Sequence, residues 1–111
     1  MKHSTNTPTK AQKERFRKLQ EFGCIACFKE LDWSAPDIHH IVEGGRRLGH
    51  DFTLPLCPWH HRGIQWDEWT ARGMEEVLGP SLAHSKRKFV EWYGTERELL
   101  ELVNERLEMM P

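Results

Sequence analysis

Apolar side chains recur at helical spacing near the two ends of the chain, whereas apolar and polar residues alternate in its middle. Thr9 is a residue type that favours a helix N-cap, and the pattern after it predicts a helix of about thirteen residues ending at Phe22. Gly23 is a typical stop signal for such a helix. We expect Phe16 and Leu19 to face the core while basic residues cover the outside.

The middle of the chain has the alternation that is typical of a β-hairpin. Ile38, His40 and Val42 occupy every second position, which predicts a short strand. Phe52 to Leu56 is the predicted partner strand, and the residues Glu43 to Gly45 supply turn chemistry between the two. We therefore predict a two-stranded hairpin.

The second half of the chain has helical patterns. Pro58 suits the first turn of a short helix that carries His60 and His61. Longer helices are predicted from about Asp67 to Val77, from Ser81 to Tyr93, and from the capping box at Thr95 to about Met109. Trp66 and Trp69 would serve either as core side chains or as a platform on which nucleic-acid bases stack, and we expect them in the core.

Length and composition indicate one small domain. The chain has 111 residues and a net charge of −1, and we expect a single domain over residues 9–111 after a disordered polar stretch at 1–8. No apolar run is long enough to span a membrane, and the N-terminus lacks the apolar segment of a secretory signal. Reduced thiols would suit a cytoplasm, so we expect a cytoplasmic protein without a membrane partner.

The cysteines have the spacing of a zinc site. Cys24 and Cys27 form one C-x-x-C pair, and Cys57 and His60 repeat that spacing later in the chain. Three cysteines are an odd number, which argues against a disulfide framework. We predict a structural zinc ion held by these four side chains, the alternative being buried thiols beside a surface histidine.

Three further histidines lie beside this set. If His60 binds zinc, then His39, His40 and His61 have no assigned role. Adjacent residues on a strand point to opposite faces, so His39 and His40 cannot easily share one ion, but one can bind a metal while the other faces a substrate. Ordinary surface histidines or hydrogen-bonded core histidines are the alternative.

Basic residues are concentrated around the motif, although the net charge does not indicate a nucleic-acid binder. Residues 1–62 contain ten Lys and Arg against seven Asp and Glu, and residues 63–111 contain six against ten. These side chains would either contact phosphates or simply form solvated faces. The candidates for phosphate contact are Lys13, Arg17, Arg46, Arg47, Arg62, Lys86, Arg87 and Lys88.

The order of a His-His strand, a glycine-containing loop, a second strand and a C-x-x-H-H run resembles the HNH endonuclease family over roughly Cys24 to Arg62. The runs GCIAC, IHHI, LPLCPWHH and HSKRKFVEWYGTERELL are more narrowly similar to the phage recombination-enhancement (Ref-type) RecA-dependent nucleases, over Gly23 to Leu100. The resemblance implies an α+β fold. Its zinc-stapled ββα-metal core, a two-stranded hairpin plus a helix, would be surrounded by additional α-helices.

The resemblance also implies catalytic roles. His40 matches the general base, and His39 and His61 match ligands of a catalytic Mg²⁺ or another divalent ion. Two positions depart from the pattern. The asparagine that orients the base is missing near Phe52, where His50 or Asp51 would substitute for it. The last motif histidine is replaced by Gln65, so that His84, otherwise a surface histidine, is the candidate third ligand.

These features give three hypotheses for function. The first is a metal-dependent DNA endonuclease that cuts single- or double-stranded DNA, with RecA filaments as the partner that the Ref-type resemblance implies. It would act in recombination or repair in a bacterial or phage-infected cytoplasm. The second is a non-catalytic zinc module that binds nucleic acid or protein. The third is an RNA-directed nuclease of the same fold. A pure zinc module needs none of His39, His40 and His61, which separates the first hypothesis from the second.

Overall fold

The computed structural model describes residues 7–111 as a mixed α+β fold, as the sequence predicts. The elements of this region are α1 (Lys10–Phe22), α2 (Ile25–Lys29), β1 (Asp37–His40), β2 (Val42–Glu43), β3 (Arg46–Arg47), β4 (Thr53–Leu56), α3 (Pro58–Arg62), α4 (Ala71–Leu78), α5 (Lys86–Tyr93) and α6 (Glu96–Glu108). Six of the eight residues expected to be disordered lie outside the described residues. Thr7 and Pro8 have no regular secondary structure.

The predicted pairing of the two central segments is confirmed. β1 and β4 are antiparallel, with His39 opposite Leu54 and His40 opposite Thr53. All four residues of β4 are buried, whereas those of β1 are partly exposed. Each histidine of β1 is therefore backed by a buried residue of β4 and remains accessible from outside.

The predicted extension of β1 to Val42 is wrong. The chain bends at the fully buried Ile41, whose N–H donates to the carbonyl of Phe52 and whose carbonyl accepts from the N–H of Leu48. Val42 then belongs to a separate small sheet in which β2 pairs with β3. Gly44 and the glycine after it form the turn of this sheet at φ values of +60° and +76°, which glycine adopts without strain.

Side-chain hydroxyls cap the starts of α1, α4, α5 and α6. The predicted starts of α1 and α6 are confirmed, and each start has a complete capping box. α4 begins at Ala71 rather than near Asp67, because the Thr70 hydroxyl accepts a hydrogen bond from a first-turn N–H. α5 likewise begins after Ser85 rather than at Ser81, because the Ser85 hydroxyl caps it.

The core lies between α1, α6 and the buried strand β4. Leu19 of α1, Leu54 of β4 and Val103 of α6 are all fully buried there. The expectation that Trp66 and Trp69 belong to the core is wrong, since they are 47% and 41% exposed and pack edge-to-face against each other. Within residues 7–111, no helix combines the length and apolar character that a membrane crossing requires.

Leu19→Ala should lower the free energy of unfolding by about 2–5 kcal/mol, because it removes a fully buried side chain from the contact of α1 with the core. Leu31→Ala removes the same atoms from a side chain that is 96% exposed, and it should change that free energy by less than about 0.5 kcal/mol. Urea unfolding of the zinc-loaded proteins measures both values. Equal losses in the two variants would contradict this account of the core.

Candidate metal centre and adjacent histidines

Two short helices present the candidate zinc ligands in the same way. Cys24 is the N-cap of α2, and its Sγ accepts a hydrogen bond from the N–H of Cys27. Cys57 is the N-cap of α3, and its Sγ accepts from the N–H of His60. Each C-x-x-C or C-x-x-H unit therefore places its first ligand at a helix start and its second ligand one turn later.

The four ligand atoms have the spacing of a tetrahedral metal site. His60 Nδ1 lies 3.5, 3.6 and 3.3 Å from the Sγ atoms of Cys24, Cys27 and Cys57. The Sγ atoms of Cys27 and Cys57 are 4.0 Å apart. Tetrahedral zinc bonds would separate sulfur from nitrogen by about 3.6 Å and two sulfurs by about 3.8 Å. The group therefore fits a metal such as zinc.

The pKa values of this group are shifted in opposite directions, and burial raises that of the Cys24 thiol. All four side chains are buried, and the cysteines form no disulfide. Hydrogen bonds from Cys24 and Cys27 lower the pKa of the Cys57 thiol. Burial lowers the pKa of His60, but hydrogen bonds and charge from Cys27 and Cys57 outweigh it and raise that pKa to about 9. A buried cluster that binds a proton this tightly is one in which a metal cation would also be stabilised.

The far side of the His60 ring is held by the C-terminal half of the chain. His60 Nε2 lies 2.7 Å from the carbonyl oxygen of Leu78, and the Tyr93 hydroxyl lies 3.3 Å from the same nitrogen. The Tyr93 hydroxyl also donates to the Leu78 carbonyl at 2.9 Å. A hydrogen bond of this kind fixes the tautomer that leaves Nδ1 free to bind metal.

His39 and His61 lie together on one side of β1. Their ring centroids are 5.0 Å apart. His39 Nε2 is 2.5 Å from a carboxylate oxygen of Glu96, and His61 Nδ1 is 3.0 Å from a carboxylate oxygen of Asp37. Asp37 also accepts a hydrogen bond from Arg62 at 2.9 Å. Two imidazoles and two carboxylates therefore meet between β1, α3 and the start of α6.

Both carboxylates of this group are stabilised as anions. The hydrogen bond from His39 lowers the pKa of Glu96. Burial raises the pKa of Asp37, but hydrogen bonds from His61 and Arg62 outweigh it and lower the pKa overall. Imidazole and carboxylate donors suit divalent metal ions. Within residues 7–111, however, only the Cys₃His group brings three or more ligand atoms of His, Cys, Asp or Glu within 4.8 Å of one another.

His40 lies on the other side of β1, as strand alternation predicts. Its Nε2 is 2.9 Å from Nδ1 of His50, and Phe16 packs edge-on against both rings. The pKa of His40 is lowered by burial and then by the positive charge of Arg47. The imidazole is therefore held more readily in its neutral form.

Two of the candidate residues, Asp51 and His84, contact partners other than His39, His40 and His61. Asp51 accepts a hydrogen bond from Gln12, while His50 alone of the two proposed orienting residues is in hydrogen-bond contact with His40. His84 lies 3.3 Å from the Gly63 carbonyl and packs against Trp59. The proposed third ligand therefore lies against α3 and its C-cap, where it lines a 510 Å³ pocket.

Sequence reasoning missed the two carboxylates of the His39–His61 group. Asp37 stands two residues before His39, and strand alternation would place both side chains on the same face of β1. Glu96 is 57 residues from His39, and its only visible sequence signal is its place in the first turn of α6. A contact between such distant segments depends on the tertiary fold.

The candidate phosphate-binding residues differ in how far their charge is already neutralised. Arg17 pairs with Glu14 and Glu21, Arg62 with Asp37, Lys86 with Glu96, Arg87 with Glu91, and Lys88 with Glu75. Lys13 is exposed on α1. In the described region, Arg46 and Arg47 are exposed on β3 and form no ion pair. Their charge, like that of Lys13, is available for an anionic partner.

Comparison with protein families assigns the chain to one family. The family described as "Recombination enhancement, RecA-dependent nuclease" matches residues 8–108. This chain belongs to that family of RecA-dependent nucleases. The description of the family names recombination enhancement and a RecA-dependent nuclease.

One curated protein is also similar over part of its length. The two-component response regulator ARR11 of Arabidopsis thaliana is 30% identical over 84 residues. The match covers 72% of this chain and only 14% of the response regulator. The similarity is therefore confined to a small part of a much longer protein.

We predict one tightly held zinc ion per chain, because the ligand spacing fits it and the ligands join segments that are far apart in the sequence. Elemental analysis of protein purified without chelator measures the stoichiometry. Cys57→Ser should abolish stoichiometric zinc and lower the thermal midpoint, whereas Ser85→Cys, at the partly exposed N-cap of α5 and outside the Cys₃His group, should leave the stoichiometry at one. Protein that contains no zinc would contradict the prediction.

Proposed function

We propose that this chain is a metal-dependent HNH-type DNA endonuclease, phage-encoded and RecA-dependent, that acts in recombination or repair. The observation that carries the proposal is the placement of the histidines around β1. His39 and His61 lie together with two carboxylates on one side, and His40 contacts His50 on the other. A pure zinc module would require neither arrangement.

The hairpin of β1 and β4 and the following helix α3 would form the ββα-metal core of this class. α3 begins directly after β4 and packs against both strands. This places His61 beside His39 while its neighbour His60 points into the Cys₃His group. The Cys₃His group would bind structural zinc and thereby fix the orientation of α3 relative to the hairpin.

His39 and His61 would hold the catalytic ion. A divalent ion such as Mg²⁺, when bound there, would polarise the phosphodiester and stabilise the leaving 3′-oxygen. The residues themselves supply imidazole nitrogens with hydrogen-bonded carboxylates behind them. Hydrolysis would leave 5′-phosphate and 3′-hydroxyl ends, as the resemblance to HNH enzymes implies.

His40 would be the general base. Its neutral imidazole can take a proton from the attacking water, and the contact with His50 would orient the ring. In this role His50 replaces the asparagine that is missing from the motif. Asp51, whose carboxylate is turned towards Gln12, is the weaker candidate for the same role.

Arg46 and Arg47 would contact the DNA backbone close to this base. They form β3 of the small sheet whose other strand follows β1 directly, and the charge of Arg47 acts on His40. The bidentate ion pair between Arg97 of α6 and Glu43 of β2 ties this small sheet to the body of the protein. The other candidates are already paired with carboxylates and would have to exchange them for phosphates: Arg17, Arg62, Lys86, Arg87 and Lys88. Lys13 would not have to make this exchange.

The alternative function is a non-catalytic zinc module that binds nucleic acid or protein. The observation in its favour is that, across the described residues, only the Cys₃His group has three or more mutually close metal ligands. In this alternative, the His39–Glu96 and His61–Asp37 pairs would be structural hydrogen bonds. Cleavage assays on plasmid, single-stranded DNA and RNA, with Mg²⁺ or Mn²⁺ and with or without RecA, separate the two functions and identify the substrate.

His40→Ala should lower the cleavage rate by about 10²–10⁴-fold while zinc content and DNA binding are retained, since the residue accepts a proton and holds no ion. His39→Ala and His61→Ala should also lose cleavage, and excess Mg²⁺ or Mn²⁺ should partly restore it. Added metal should not restore His40→Ala. Wild-type cleavage by folded His40→Ala protein would assign the base to another residue, and a wild type that never cuts would favour the binding module.

The double variant Arg46→Ala/Arg47→Ala should weaken DNA binding and reduce the slope of log affinity against log salt by about 0.7–0.9 for each lost phosphate contact. The matched control is Arg87→Ala, which removes an arginine that is already paired with Glu91. Fluorescence anisotropy at several salt concentrations measures both slopes. An unchanged slope in the double variant would remove β3 from the DNA-binding surface.

A further inference from the structure

The first residue of α6 reaches the histidine group from a distant part of the chain. Glu96 is N1 of this helix, and one of its carboxylate oxygens lies 2.5 Å from Nε2 of His39. Its other oxygen lies 3.5 Å from Nζ of Lys86 at the start of α5. The Glu96 side chain is only 11% exposed, so that this contact is made in partly buried surroundings where hydrogen bonds to charged groups are strong.

We propose that Glu96 is a positioning residue that fixes the ring orientation and tautomer of His39 for metal binding. By accepting a hydrogen bond from Nε2–H, the carboxylate leaves Nδ1 of His39 unprotonated and therefore able to bind a divalent cation. This inference rests on the proposed role of His39 as a metal ligand. It adds a residue outside the HHI and CPWHH runs to the site.

The neighbouring histidine has the same construction. His61 Nδ1 lies 3.0 Å from Asp37, and in the proposed arrangement this nitrogen carries the proton, so that Nε2 of His61 is the nitrogen able to bind metal. Each member of the His39–His61 pair thus has one carboxylate on one nitrogen, and the two rings are 5.0 Å apart. Carboxylate partners on both ligands are the arrangement that raises ligand basicity and holds ring orientation at metal sites.

Two other roles for Glu96 make different predictions. If Glu96 itself bound the metal, a charged carboxylate would be required, and glutamine would be almost as damaging as alanine. If Glu96 only stabilised the positive end of the α6 dipole, then Glu98 in the same turn would be its equivalent. A positioning residue requires only an acceptor oxygen at the right place, which the amide of glutamine retains.

Mn²⁺ affinity of the zinc-loaded full chain, measured by isothermal titration calorimetry, tests these roles without an activity assay. Glu96→Ala should weaken Mn²⁺ binding by about 10–100-fold, the usual loss when the hydrogen-bond partner of a metal ligand is removed. Glu96→Gln should weaken it by less than about threefold. Glu98→Ala should leave it unchanged, although it removes the capping box of the same helix.

A second measurement reports on His39 whether or not the chain cuts DNA. Long-range ¹⁵N–¹H spectra of the zinc-loaded protein without Mn²⁺ should show His39 as the Nε2–H tautomer. Glu96→Ala should give a mixture of tautomers, and Glu96→Gln should keep the wild-type tautomer.

The outcomes separate this inference from the proposed function. A Glu96→Gln loss as large as that of Glu96→Ala would make Glu96 a ligand, and an unchanged tautomer and affinity in Glu96→Ala would remove it from the site; either result overturns the inference. If the tautomer responds to Glu96 while His39→Ala and His61→Ala leave Mn²⁺ affinity unchanged, the positioning contact stands and the proposed metal site fails.

Discussion

Three thiols and one imidazole from two distant segments converge in the interior, with ligand atoms of the two segments 3.5–4.0 Å apart. This convergence holds α2 against the start of α3 and sets where the buried strand between them must run. Because the far nitrogen of His60 contacts Leu78 and Tyr93, the same point also fixes the ends of α4 and α5. The rest of the fold is arranged around a cluster that would be costly to keep buried without a cation.

The position of α3 determines the chemistry next to this cluster. His60 and His61 are consecutive, so that a helix held by His60 must present His61 on its adjoining face. That face meets β1, where Asp37 and His39 point outwards. His40 points to the opposite side of the strand and meets His50. A single strand therefore separates two sets of histidines, and the bend at Ile41 opens the way for β2 and β3 beside the second set.

Much of this was predictable from local sequence, and the exceptions have identifiable physical causes. The C-x-x-C and C-x-x-H spacings and the capping boxes at Thr9 and Thr95 are local signals, and the structure agrees with them. The starts of α4 and α5 were misplaced because the nearest hydroxyl cap outweighs helical periodicity further upstream. The exposure of Trp66 and Trp69 could not be predicted, because it depends on which distant surfaces cover the loop before α4.

The first turn of α6 contacts both sides of the hairpin region through consecutive residues. Glu96 contacts His39, while Arg97 forms an ion pair with Glu43 of the small sheet and lies over the Phe52 ring. A fragment spanning only residues 24–62 would contain every recognisable motif residue of the hairpin and its helix. It would nevertheless lack the carboxylate behind one imidazole and the anchor of the arginine-bearing sheet. The smallest unit that holds the site together is therefore larger than the motif. Transplanting the motif into another scaffold would require a substitute for each of the two contacts that α6 makes: the carboxylate beside His39 and the anchor of the small sheet.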